Sequence, residues 1–289
     1  MIPKEKIAAF QTKILDWYAL HQRDLPWRKT RDPYRILISE IMSQQTQLSR
    51  VVPKYEAWIM AFPTIEDLSK ASVSEVLKYW SGLGYNRRAL HLKKTAEIIT
   101  EKYKGVFPKS EKELLRLPGI GQYTARAVLC FAFDQQVTVV DTNVRKVILT
   151  QILDLNYSES QDLKLSDNKS QLGDRKIDEK MFEEIATQLL PYDRAYEWNQ
   201  ALMDYAAVVL KKEKIPIPKQ SKYIGSHRYY RSKVLKVLLE KKSVKVDVIG
   251  ELIKNDYTIA ERDWLEKLLK ELKKEGFIFW EKDSIALAS

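Results

Sequence analysis

A glycine-bearing turn between two short helical segments constrains this chain more than any other feature. Residues 117–121 read Leu-Pro-Gly-Ile-Gly. The preceding residues 110–115 have helical character, Pro118 and Gly119 break the pattern, and from Gln122 the apolar residues Ala125, Val128, Leu129 and Ala132 recur at helical spacing. Two short helices joined by a tight turn are therefore predicted. The first N–H groups of the second helix have no intrahelical partner, and the helix dipole adds positive potential there. Such a turn can hold a phosphate whatever the base sequence, which makes Pro118, Gly119 and Gly121 candidate backbone anchors for a nucleic acid. An ordinary helical corner has the same local pattern. Asp141, which follows Val139-Val140 downstream of the apolar helix, tips the balance towards a site.

LPGIGQYTARAV followed by VVDTNVRKV resembles the helix-hairpin-helix DNA glycosylases with their catalytic aspartate. Leu25-Pro26-Trp27-Arg28, Pro33-Tyr34 and the run from Ile38 to Gln47 (ISEIMSQQTQ) narrow the resemblance to the MutY-like adenine-specific mismatch glycosylases. Phe62-Pro63-Thr64, Gly82-Leu83-Gly84-Tyr85 and Asn199-Gln200-Ala201-Leu202-Met203-Asp204 match as well, in the family's order. The resemblance implies a mostly α fold of two helical lobes. The implied activity is base excision repair of double-stranded DNA carrying a mismatched or damaged base pair.

Composition agrees. The chain has 289 residues, a formal net charge of +10 and a pI near 9.3, and 45% of its residues are hydrophobic, ample for a packed core. A basic surface favours polyanions through counterion release. No apolar run approaches the roughly eighteen residues of a membrane span. Residues 1–10 lack the apolar core of a signal peptide, so a place in the cytosol or nucleoid of a bacterium or archaeon is expected; a monomer is expected as well.

Cys130 is the only cysteine, so one chain cannot supply an iron–sulfur cluster with its cysteines. Among Val128, Leu129 and Phe131 it reads as a buried structural thiol. The family resemblance implies a cluster just after the segment 199–210. This chain has Leu210 where the first cluster cysteine would fall, and Lys211–Pro218 adds no ligand. A clusterless branch with no metal and no cofactor is expected, with lysines and prolines positioning the segment by packing and charge.

Helical patterns cover residues 3–18, 36–51, 55–62, 73–80, 87–103, 111–115, 122–133, 143–153, 180–190 and 196–210. Residues 156–178 are polar and weakly periodic, an exposed insertion by pattern. The expected organisation is a glycosylase domain over 1–215, a stiff Ile-Pro-Ile-Pro linker over 216–226 and a small domain over 227–289. In the last, helices are predicted at 228–241, 246–253 and 259–275, followed by strands at 277–280 and 284–287. Three helices and a hairpin make a winged-helix-like module, which in other settings grips DNA, docks a protein or only packs.

Cleaving a purine from deoxyribose requires a proton on the departing base and support for the oxocarbenium-like sugar. Two carboxyl groups in different environments divide that work. Glu40, flanked by Ile36, Leu37, Ile41 and Met42, is placed where desolvation favours the proton-donating form; a solvated helix face is the plain alternative. The resemblance makes Glu40 the general acid acting on N7 of adenine and Asp141 the stabiliser of the sugar cation, with Asn143 beside it. Asp141 is also a helix cap, whose N–H donors are expected to keep it ionised.

Tyr123 stands where bifunctional relatives carry the lysine that attacks the sugar, so a monofunctional glycosylase without strand cleavage is implied. Gln44, Gln45 and Thr46 follow Glu40 by about one turn, read as mid-helix amides placed to fill the vacated space or test the opposite base. Trp27, Arg28 and Asp204 resemble the pocket for the extruded base. Gly82, Gly84, Tyr85 and Arg87, with Arg88, form a second turn into a basic helix start facing the other strand's phosphates. Two other functions stay open: a thymine or uracil mismatch glycosylase, against which Gln44-Gln45 argues, and a non-catalytic DNA-binding protein, against which Glu40 and Asp141 together argue. Thr142 departs from the family's glycine and leaves the backbone angle beside the acid open.

Overall fold

Short polar punctuation sets many of the helix ends. Thr64 and Ser72 each accept a hydrogen bond from the N–H three residues on, while Asp67 and Glu75 reach back to close a capping box. The computed structural model describes residues 2–153, 170–172, 175–177, 179–211 and 222–288. It forms two compact units, one of residues 1–37, 109–116 and 120–218, the other of residues 38–108, 117–119 and 219–289.

In the first unit, α1 (Lys4–His21), α9 (Thr142–Gln151) and α11 (Ala195–Val208) pack together, joined by α7 (Glu111–Leu114), α8 (Gln122–Phe133) and α10 (Glu179–Leu189). The core holds Phe10, Ile14, Ile148, Phe182, Trp198 and Leu202, with Phe10 set edge-on to Trp198 at 5.4 Å. Two three-residue strands, β1 (Ser170–Leu172) and β2 (Arg175–Ile177), pair antiparallel within the expected insertion. Residues 154–169 and 212–221, which hold most of that insertion and of the linker, lie outside the described residues.

In the second unit, α3 (Leu48–Ala61), α4 (Ile65–Lys70), α5 (Val73–Trp80) and α6 (Arg87–Tyr103) enclose the fully buried Trp58 and Trp80, edge to face at 5.6 Å. The sequence pattern missed α4, whose apolar face is only Ile65 and Leu68. The tail packs α12 (His227–Lys241) against α5 and continues through β3 (Ser243–Lys245), α13 (Val246–Ile253), α14 (Arg262–Lys274), β4 (Ile278–Glu281) and β5 (Ser284–Leu287). Leu265, Leu268, Leu269 and Leu272 form the buried stripe of α14 at helical spacing. The expected hairpin gains a third strand, since β3 pairs with β5 in the order β3-β5-β4. Only Val244 of β3 is buried, too short a signal for the strand period to register.

The other correction lies at the centre of the second unit. The helix expected over 36–51 is two helices: α2 (Pro33–Ser43) ends before the Gln-Gln-Thr triplet and α3 restarts at Leu48, running through Pro53 to Ala61. Gln45 takes φ +52°, the left-handed region that ends a helix.

Candidate active site

Glu40 sits near the end of α2, half-buried, with Ile38, Ser39, Ile41 and Met42 around it in sequence all buried. Beyond it, Gln44, Gln45 and Thr46 form a turn and not the expected mid-helix face. Arg88 fixes that turn. Its Nη1 donates to the carbonyl oxygens of Ile41 (2.6 Å), Met42 (3.3 Å) and Gln44 (2.6 Å). Its Nη2 donates to Thr46 Oγ1 (3.4 Å) and to the carbonyls of Leu83 (3.3 Å) and Gly84 (3.2 Å). The guanidinium therefore satisfies the exposed carbonyl end of α2 and ties it to the second glycine turn. Burial lowers the Arg88 pKa to about 10, which leaves it charged at neutral pH.

The sequence pattern puts Arg88 in an outward basic run, yet its side chain is turned inward. A signal was present: Arg88 precedes the buried Leu92, Thr95 and Ile99 at helical spacing. Arg87 and Tyr85 remain exposed, and Arg87 lies 3.5 Å from Glu275. Gly82 and Gly84 take φ +91° and +73°, so the backbone itself calls for glycine in this turn.

Gly119 has φ +75°, and a Cβ there would come within 2.8 Å of the His91 side chain. Thr95 Oγ1 donates to the Pro118 carbonyl at 3.0 Å, which seats the turn on α6. Gly121 is the exposed N-cap of α8, and Tyr123 follows as its second residue, half-buried.

In the first unit Asp141 caps α9, as its sequence position indicated. Oδ1 accepts from the Val144 N–H at 2.7 Å and Oδ2 from Asn143 Nδ2 at 2.8 Å. Burial nevertheless outweighs these donors, and the carboxyl pKa lies above its ordinary value of 3.8. Thr142 is the first residue of α9 and takes no positive φ, so no glycine is needed at that position.

Asn199 holds the approach to Asp141. Its Oδ1 accepts from the Val139 N–H (2.8 Å), while Nδ2 donates to the carbonyls of Val137 (3.0 Å) and Ala195 (2.8 Å). The motif containing Asn199 was legible, but its role was not, because Val137 and Val139 lie some sixty residues away. The nearby Cys130 is fully buried and its pKa is pushed up to about 12 by that burial, fitting an inert thiol.

Trp27 is buried in the 3-10 turn Pro26–Lys29. Arg28 grips Asp204 through both terminal nitrogens at 2.7 Å, and Arg23 Nε adds a 2.7 Å bond to the same carboxylate. Burial pushes the Asp204 carboxyl up, but the two arginines outweigh it and hold it below the ordinary range. Asp204 has no exposed surface, so it positions Arg28 and does not itself line an open pocket. Arg28 Nε is buried without an acceptor among the described residues.

At the position expected for a first cluster cysteine, Leu210 is buried and its carbonyl accepts from the ammonium of the buried Lys146 on α9. The lysine that positions this segment thus comes from α9, while residues 212–218 lie outside the described residues. Among the described residues no three His, Cys, Asp or Glu side chains gather into a metal site, and no helix is long and apolar enough to cross a membrane.

Residues 38–157 match the model of the HhH-GPD superfamily of base excision DNA repair proteins. The chain is 31% identical over 249 residues to an adenine DNA glycosylase of Buchnera aphidicola subsp. Schizaphis graminum, covering 82% of this chain and 67% of the relative. It is 50% identical over 137 residues to the adenine DNA glycosylase of Mycolicibacterium smegmatis, 47% of each chain. The chain spans about half the length of several of these curated relatives. Among solved structures, a thermostable thymine-DNA glycosylase superposes with a TM-score of 0.59 at 33% identity, covering 71% of this chain and 87% of that one.

Proposed function

Because the chain belongs to the HhH-GPD superfamily of base excision repair proteins, in its MutY-like branch, we propose that it removes adenine mispaired with guanine or 8-oxoguanine in double-stranded DNA. The observation that carries this is the Asp141 carboxyl, held by Val144 N–H and Asn143 in the same matched segment as Glu40 and Tyr123. The adenine leaves the stack, and Glu40 donates a proton to its N7. The C1′–N9 bond breaks with its electron pair passing to the base. Ionised Asp141 offsets the positive charge on C1′ and O4′, and water adds at C1′ and releases a proton to solvent, leaving an abasic sugar. Arg28, set by Asp204, and Trp27 serve the extruded base. The Gly119 and Gly84 turns hold the backbone through N–H groups. Tyr123 lacks the amine that a Schiff base requires, so the strand stays intact.

A second reading, thymine or uracil opposite guanine, rests on the 33% identity to the thymine-DNA glycosylase. The test is single-turnover cleavage of duplexes carrying A, T or U opposite G, 8-oxoguanine, C and T, with alkali to reveal abasic sites. Excision of adenine opposite G and 8-oxoguanine is expected. Excision of thymine or uracil with adenine untouched would replace this reading with the second.

A further inference from the structure

The tail brings an acid to a turn that is otherwise basic. Glu275 is the C-cap of α14, and Arg87 is the first residue of α6, just after the Gly82–Tyr85 turn. One carboxylate oxygen of Glu275 lies 2.6 Å from Arg231 Nη2 and 3.5 Å from Arg87 Nε, so it bridges two guanidiniums. The helix itself does not favour an acid there, since the C-terminal end of its dipole repels negative charge. The two arginines offset that repulsion.

The two arginines differ in what they can release. Arg231 is 17% exposed, and its other terminal nitrogen lies 3.4 Å from Glu271, which also meets His227 Nε2 at 3.2 Å. Arg231 therefore keeps an acid if Glu275 turns away. Arg87 is 65% exposed, and the Glu275 side chain that meets it is 23% exposed. An ion pair this open is weak, and a backbone phosphate, held in place by the rest of a duplex, competes with it. Elsewhere α14 offers a duplex little attraction. Its solvent face carries Asp263, Glu266 and Glu271 beside Lys267, Lys270 and Lys274, three acids against three lysines.

We propose that Glu275 stands in for a phosphate: it neutralises Arg87 in the free protein, and a backbone phosphate of the duplex displaces it when DNA binds. Arg231, still paired with Glu271, stays in place. At this point the tail restrains duplex binding and does not add to it. The inference rests on the reading that the Gly84 turn faces the DNA backbone, and not on which base is excised.

The test is binding of the full-length protein to a fully paired duplex, read by fluorescence anisotropy across a salt series. The wild type is compared with Glu275→Gln, Arg87→Ala and the double variant, with thermal unfolding to confirm that each is folded. Asp263→Asn, which removes one exposed acid from the same helix, serves as the control. Glu275→Gln should bind about threefold more tightly, the scale of a partly exposed ion pair. That gain should vanish where Arg87 is already alanine. A gain that persists there, or that Asp263→Asn reproduces, would reduce Glu275 to general repulsion and overturn the proposal. Unchanged or weaker binding by Glu275→Gln would overturn it too. His91, one turn along α6 from Arg87, gives a second readout: burial, Arg87 and Lys94 lower its pKa, and Glu275 raises it. Followed by NMR, that pKa should fall in Glu275→Gln; an unmoved value would show that the carboxylate does not sit at Arg87 in solution. Arg87→Ala should weaken binding and flatten the salt dependence by about one phosphate contact. Unaltered affinity and slope in that variant would remove this turn from the DNA interface, whereas a normal Arg87 effect with no gain from Glu275→Gln would sink the Glu275 proposal alone.

Discussion

The Asp141 carboxyl is pulled in two directions. Burial favours its neutral form, while the Val144 N–H and the Asn143 amide favour the anion, and burial prevails. The anion is the form that supports a sugar cation, so excision should fall towards acid at a pH above 3.8, the ordinary aspartate value. A single-turnover pH series should show that acid limb, and a limb at or below the free-aspartate range would contradict it. For stability the sign is opposite. The native state holds this proton more tightly than the unfolded chain, so the site contributes most at low pH and its contribution is lost as pH rises through the folded pKa. Glu40→Gln and Asp141→Asn should each lower the excision rate by about a thousandfold or more while duplex affinity stays within a few-fold. Near-normal rates in either variant would remove that residue from the chemistry. At Tyr123 the expected result is an abasic product with no nick and no adduct trapped by borohydride; efficient trapping would reveal a lysine acting as nucleophile.

At the scale of elements, the decisive feature is the break between α2 and α3. The Gln-Gln-Thr triplet is accessible because α2 stops, and one guanidinium from α6 gathers the carbonyls that the stop leaves open. Arg88→Met removes those donors while retaining much of the side chain's apolar bulk. Its expected effect is a single-turnover rate about a hundredfold lower, the consequence of reacting groups misplaced by about 1 Å, with helical content unchanged by circular dichroism. An unchanged rate would show that the turn keeps its shape without the clasp. The phase of α6 already put Arg88 on the same face as Leu92, Thr95 and Ile99. What the pattern lacked was the partner, since Ile41 lies 47 residues earlier in the chain. The hairpin, by contrast, was legible, because Pro118 and Gly119 carry their conformational requirement locally and the predicted span of α8 coincides with the observed one.

For the whole molecule, the expected lack of a cluster turns on the segment after α11. Leu210 there is held by core packing and by the Lys146 ammonium, a polar anchor for the segment that leaves α11. The purified protein should be colourless, with no stoichiometric iron, and a chelator should alter neither its unfolding midpoint nor its excision rate. Brown absorbance with iron in proportion to protein would overturn this.

The sequence by itself determined what depends on neighbours in the chain. It placed the hairpin, the apolar faces, the helix cap at Asp141, the absence of further cysteines and the ordered motifs that mark the family. The tertiary structure decided what depends on distant groups meeting. Arg88 clasps the end of α2, Asn199 staples the run before Asp141, Arg28 and Arg23 bury Asp204, and β3 completes the tail sheet. The Asp141 pKa belongs with these, because desolvation is set by everything packed around a carboxyl, whereas the donors that cap it are three residues away or fewer. Conformational preferences and helix phase are local energies, written in a few consecutive residues. Burial and long-range hydrogen bonds become fixed only when the chain closes on itself.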